Sequence, residues 1–245
     1  SGAILIGLAV ALVVNYFIMP PRYGQKLRSQ IRELNSLVTE LFGRSIQAFI
    51  LTVPLPEAEL EHKLRDINDK ILYSRDLLTR YREQAGRVKP KATKALNSPV
   101  FLGKYLDYLA GLAERAMGLN QVLVQRVERR EARGNPQLSS EFEKILNMIS
   151  RGSDTVQILN NQLEQAVFEG LPIQPKPKTR GYWEEMAQIM EEWHEKVSGS
   201  YYLYALVEVG AVISEIKWAT QTSRGLFREI NQWGNDNVSR TDFGA

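Results

Sequence analysis

From residue 24 onward, apolar residues return at alternating steps of four and three, the spacing that lines them up on one face of an α-helix. The first run, Leu27, Ile31, Leu34, Val38 and Leu41, continues to Phe49 and Ile50 before Pro54 and Pro56 break it. Pro56 suits the first turn of a second helix, and Glu57, Glu59 and Glu61 favour the positive end of its dipole. The stripe of that helix is Leu60, Leu64, Ile67, Ile71, Ser74, Leu78 and Tyr81. Ser98-Pro99 predicts a third start, because serine caps free amides and proline has none to cap. Leu102, Tyr105, Leu109, Leu112, Ala116, Leu119, Leu123 and Val127 follow, up to Gly134-Asn135-Pro136. A fourth run holds Phe142, Ile145, Ile149, Gly152, Val156, Leu159, Leu163 and Ala166. Beyond a linker rich in proline and glycine over 170–181, Trp183, Met186, Met190 and Trp193 mark a short helix. After Ser198-Gly199-Ser200, Tyr202, Leu206, Val209, Ile213, Ile216 and Thr220 mark a long last one.

No segment alternates with the period of two that a strand requires. A repeat near 3.5 favours helices crossing at shallow angles, and the short turns between runs join antiparallel neighbours. The expectation is an all-α chain whose residues 22–233 form an elongated antiparallel helical bundle. Residues 234–245 are polar and are expected to form a flexible tail.

The amino-terminal segment departs from this pattern. Ala3 to Met19 carries no charge over its whole length, and as a helix it would reach about 26 Å, close to the thickness of a bilayer core. Tyr16 and Tyr23 stand where interfacial aromatics belong, and Arg22, Lys26 and Arg28 follow on the side that positive flanks place in the cytoplasm. A cleaved signal peptide would need a basic start and a small-residue cleavage site, and neither occurs. Residues 1–21 are therefore read as a transmembrane helix ended by Pro20-Pro21. The small residues Gly2, Ala3, Gly7, Ala9 and Ala11, with polar Asn15, suit packing against further membrane helices, so this span is expected to be the last of a multi-span unit. Residues 201–219 are not read as a second span, because Glu208, Glu215 and Lys217 interrupt them.

Composition narrows the chemistry. The 245 residues hold 31 Lys plus Arg against 28 Asp plus Glu, a net charge of +3 that excludes a strongly basic nucleic-acid binder. The absence of cysteine excludes disulfides, thiolate metal sites and a cysteine nucleophile. One constellation tests for a di-metal centre: Glu59 with His62 and Glu191 with His194 each form Glu-x-x-His, the pairing of carboxylate-bridged bundles. Both pairs border the apolar stripes rather than lying within them, so they are read as solvated, and no metal or other cofactor is expected. No phosphate loop, dinucleotide fingerprint or nucleophile elbow occurs, which argues against an enzyme. Arg126, Arg129, Arg130 and Arg133 alternate with Glu128 and Glu131 and read as a mixed-charge helix face. The basic connectors 89–94 and 175–180 read as solvated loops, and Trp183 and Trp193 as packing residues.

The stretch from Gly2 to Pro21 resembles the last helix of a membrane half in the FUSC-like, aromatic acid exporter family. There a glycine-containing apolar helix ends in an Asn-aromatic-apolar-Pro-Pro type stretch and runs into a long cytoplasmic helix. Gly7, Asn15, Pro20 and Pro21 are the matching residues. The resemblance covers the first 21 residues closely and the remainder only in architecture. It implies a bacterial inner-membrane transport protein that exports aromatic carboxylates, with this chain supplying the terminal span and a cytoplasmic regulatory or assembly domain. The implied partners are the lipid bilayer, other transmembrane helices of the same protein or a homo-oligomer, and small aromatic carboxylates, with no nucleic acid. It implies no catalytic residue. The alternative is a membrane-anchored helical scaffold or signalling protein without transport activity.

Overall fold

A computed structural model describes residues 22–87, 98–133, 140–169, 180–196 and 200–241. Among them are six α-helices and no strand: α1 (Tyr23–Leu51), α2 (Glu57–Arg87), α3 (Pro99–Arg133), α4 (Ser140–Glu164), α5 (Arg180–Lys196) and α6 (Ser200–Thr241). The last turn of α4 opens into a π-turn over Gln165–Glu169. The all-α expectation is met. No helix among the described residues is long and apolar enough to cross a membrane, and the span expected over 1–21, with Gly7, Asn15, Tyr16, Pro20 and Pro21, lies outside them.

Local chemistry sets several helix ends where the sequence places them. The Ser98 hydroxyl accepts a hydrogen bond from the Phe101 amide at 3.1 Å, and the Ser98 carbonyl accepts one from Leu102 at 3.1 Å, so Pro99 occupies the first turn. The Pro56 carbonyl likewise accepts the Leu60 amide at 2.9 Å and opens α2. At the end of α1, Thr52 adopts a left-handed backbone with φ of 55°. Its amide donates to Phe49 and that of Val53 donates to Ala48, the paired bonds of a Schellman end. A β-branched residue is strained in that conformation, where glycine is usual.

Which faces meet fixes the topology. α1 packs on α2, α3 and α4, and α6 packs on α3 and α4, so α1, α3, α6 and α4 close a four-helix ring. Contacts between α1 and α3 advance together: Asn35 meets Tyr105, Ser45 meets Asn120, and Phe49 lies under Arg126. Contacts between α1 and α4 run in opposite senses, Arg32 with Glu164 and Thr39 with Asn160. So do those between α3 and α6, from Lys104 with Glu229 to Arg129 with Glu208. The ring therefore contains two parallel pairs, α1 with α3 and α4 with α6. Two parallel helices of one chain need a returning connection, and here a helix supplies each one. α2 returns antiparallel along α1, with Glu33 on Lys70 and Glu40 on Lys63. α5 returns antiparallel along α4, with Glu185 near Arg151 and Trp193 on Phe142. The expected antiparallel bundle is thus corrected: neighbours in sequence are antiparallel, whereas the ring brings parallel helices together.

The stripes read from the sequence fill the core. Leu27, Ile31, Leu34, Val38 and Leu41 of α1 are buried, as are Leu102, Leu109, Leu112, Leu119 and Leu123 of α3 and Ile145, Ile149, Leu159 and Leu163 of α4. Gly152 allows α5 and α6 to approach α4, since a Cβ there would lie 2.5 Å from the Tyr182 hydroxyl and 2.9 Å from Ile216. At the carboxyl end α6 is helical to Thr241, past Gly234. One glycine inside a helix costs about 1 kcal/mol relative to alanine and does not by itself end it.

Candidate functional site

The first half of α1 carries a cluster of polar contacts to α3 and α4. Arg28 is half-buried and its guanidinium donates to the carbonyls of Val167 at 2.9 Å and Phe168 at 3.3 Å. These carbonyls belong to the π-turn, where the wider winding leaves main-chain acceptors without the usual helical donors. The same guanidinium lies 5.6 Å from the centre of the Phe168 ring, and burial lowers its pKa. One turn on, Arg32 bonds Glu164 at 2.9 Å and Glu169 at 2.6 Å, holding both ends of the π-turn. Asn35 then donates to Glu164 at 2.9 Å and accepts the Tyr105 hydroxyl at 3.0 Å. Three helices are tied through one amide.

A second polar layer lies behind the first. The Tyr108 hydroxyl donates to Asn160 at 2.6 Å, and Asn160 donates to Thr39 at 3.1 Å. Burial raises the pKa of Tyr105 and of Tyr108, so both remain neutral donors. Their rings stack 6.3 Å apart, Tyr108 stacks on Trp218 at 5.8 Å, and Phe168 closes on Tyr105 at 6.2 Å. Arg115 covers the outer face of Trp218 at 3.6 Å while its guanidinium faces Glu215 at 2.8 Å. Satisfied buried groups of this kind set register, because sliding one helix past another would leave each of them unpaired in a medium that penalises it.

The predicted interfacial residues divide here. Arg22 and Lys26 are exposed, whereas Arg28 is committed to the π-turn and Tyr23 is half-buried against the core. Arg28 had no sequence signal for this role beyond its place three residues before the Ile31 stripe. The Glu-x-x-His residues are separated: Glu59 and His62 lie on α2, Glu191 and His194 on α5, and no three His, Asp or Glu among the described residues gather where they could hold a metal. Glu59 bonds Arg44, which holds its carboxyl below the usual range. His62, Glu191 and His194 are exposed. Arg126, read as part of a charged face, is instead buried between the rings of Phe49 at 4.4 Å and Phe142 at 5.3 Å. Its planar guanidinium stacks on aromatic faces as a lysine would not. Arg129 pairs with the buried Glu208 of α6 at 2.7 Å. The side chains of Arg130, Glu131 and Arg133 and the connectors 89–94 and 175–180 lie outside the described residues. Trp193 is buried and Trp183 packs edge-on against Tyr182 at 4.6 Å.

The polar layers join α1, α3 and α4 and fix their register. No protein-family model, curated protein or solved structure matches the chain.

Proposed function

We propose that the chain is the terminal span and cytoplasmic bundle of a bacterial inner-membrane transport protein resembling the aromatic acid exporters, the bundle serving regulation or assembly rather than catalysis. The observation that supports this reading is the double position of α1. It follows directly on the apolar stretch 1–21, and it is the ring helix against which α2, α3 and α4 all pack. Arg28, Arg32 and Asn35 bind its first turns to the π-turn and to Tyr105. A shift or rotation of the preceding segment would therefore be felt by three helices at once, since packed interiors transmit strain rather than absorb it.

The test compares accumulation of a panel of aromatic carboxylates in cells with and without the complete gene. Lower accumulation with the gene is the expected result, and R28Q/R32Q should weaken export while leaving the amount of protein in the membrane unchanged. Unchanged accumulation across the panel removes the transport reading and leaves the membrane-anchored scaffold. Export unaffected by R28Q/R32Q, in protein that remains folded, removes the coupling through α1.

A further inference from the structure

We infer that the end of the bundle from which α1 begins is a docking surface for anionic lipid headgroups, made by Arg22 and Lys26 of α1 together with Arg82 of α2. The inference rests on the reading of residues 1–21 as a span and deepens it, because it assigns the surface that meets the bilayer and extends it to a second helix. α2 returns to the level where α1 starts: a Cβ on Gly24 would lie 2.9 Å from the Tyr81 ring. This brings Arg82 to the same end of the bundle, where its guanidinium lies over the start of α3, 3.0 Å from where a Cβ on Gly103 would stand. Arg22, Lys26 and Arg82 are all exposed. Of the neighbouring cations, Arg80 pairs with Asp76 on the surface at 2.9 Å and Arg28 is held by the π-turn. Glu83 is the exposed acid nearest to Arg82 in sequence.

At the opposite end α2 begins with the exposed acids Glu57 and Glu61 and α5 ends with Glu191 and Glu195, beside the cations Lys63 of α2 and Arg129 of α3. Attraction between basic residues and an anionic leaflet decays within about 10 Å, so only the end that lies against the membrane gains from it. A nucleic acid would not explain why the basic residues sit where the chain leaves the apolar segment.

The absence of cysteine allows single labels. Ala85 and Ala58 are exposed near opposite ends of α2, about 40 Å apart along one helix. The full chain carrying A85C or A58C with a fluorophore is reconstituted into vesicles of phosphatidylcholine, or of phosphatidylcholine with phosphatidylglycerol, each containing a quencher on the lipid headgroup. Expected is quenching at A85C at least about twofold stronger with phosphatidylglycerol, weakened by salt, and returned to the neutral-lipid value by R22Q/K26Q/R82Q. A58C should respond to neither change. Equal quenching at A85C in the two lipids, or an effect untouched by the triple substitution, overturns the docking surface, as does displacement by added RNA at concentrations that leave the chain in the membrane. Alkaline carbonate extraction separates the two readings: a chain that washes off but still needs phosphatidylglycerol for quenching retains the docking surface and loses the span.

Discussion

α2 and α5 perform the same topological task, each returning the chain so that two parallel helices can stand side by side in the ring, yet they are fastened by different means. α2 has 31 residues and α5 has 17. α2 buries Ile67, Ile71, Leu77 and Leu78 and adds ion pairs along its length: Lys70 with Glu33 at 2.7 Å, Lys63 with Glu40 at 2.6 Å, and Glu59 with Arg44. α5 reaches α4 through the ion pair of Glu185 with Arg151 at 3.3 Å. It relies on large side chains: Trp193 buried on Phe142, Met186 buried, and the Tyr182 hydroxyl donating to the Met148 carbonyl at 2.8 Å. A long helix can spread many shallow contacts and let charge set its register. A short one must concentrate apolar area in a few residues.

The largest expected consequence of that difference falls on α5. Trp193→Ala should lower stability by about 3 to 5 kcal/mol and raise the hydrogen-exchange rate of α5 amides well before those of α2. Equal loss of protection in both helices would mean that α5 is no separate unit. Next comes Gly152→Ala, which drives a methyl group against Tyr182 and Ile216. A cost of about 1 to 3 kcal/mol is expected, read as a fall in melting temperature. Removing Tyr182 in the same chain should recover part of it, and failure to do so would place the strain on Ile216 alone.

On α2 the effects are smaller. Lys70→Met should cost less than about 1 kcal/mol, because exposed ion pairs contribute little, and denaturant melts of K70M, E33Q and the double variant measure the coupling. Acid supplies the mildest contrast. Hydrogen bonds from Lys63 and Arg44 lower the pKa values of Glu40 and Glu59 from 4.5. Groups depressed on folding contribute stability that is present above the unfolded pKa and lost as pH falls through the folded one. Lowering the pH below about 4.5 should therefore loosen the attachment of α2 before that of the ring helices, which hydrogen exchange at successive pH values can follow. Uniform loss across all six helices would count against a local effect of these carboxylates.

Much of the fold is legible because a helical stripe is a local property. Leu27, Ile31 and Leu34, or Leu102, Tyr105 and Leu109, announce their burial by spacing alone, and Ser98-Pro99 announces a cap because its chemistry is complete within four residues. The polar layers are less legible. Tyr105 stood within its stripe, but Asn35, Asn160 and Arg28 are polar residues whose partners lie more than 50 positions away. Arg126 misleads for the same reason: beside Glu128 and Arg129 it reads as solvated, and only the arrival of Phe49 and Phe142 makes burial of its guanidinium favourable.

The amino-acid sequence by itself determined that the described segments are helices, where three of them begin, and which face of each turns inward. Tertiary structure decided which helices meet, that two pairs in the ring run parallel, and that Arg28 and Arg126 are committed to the interior while Arg22, Lys26 and Arg82 remain outside. The physical reason is that an apolar stripe is buried equally well by a parallel or an antiparallel neighbour. The choice falls to the polar groups that must find partners across the core, among them Asn35 with Tyr105, Asn160 with Tyr108, and Arg32 with the π-turn.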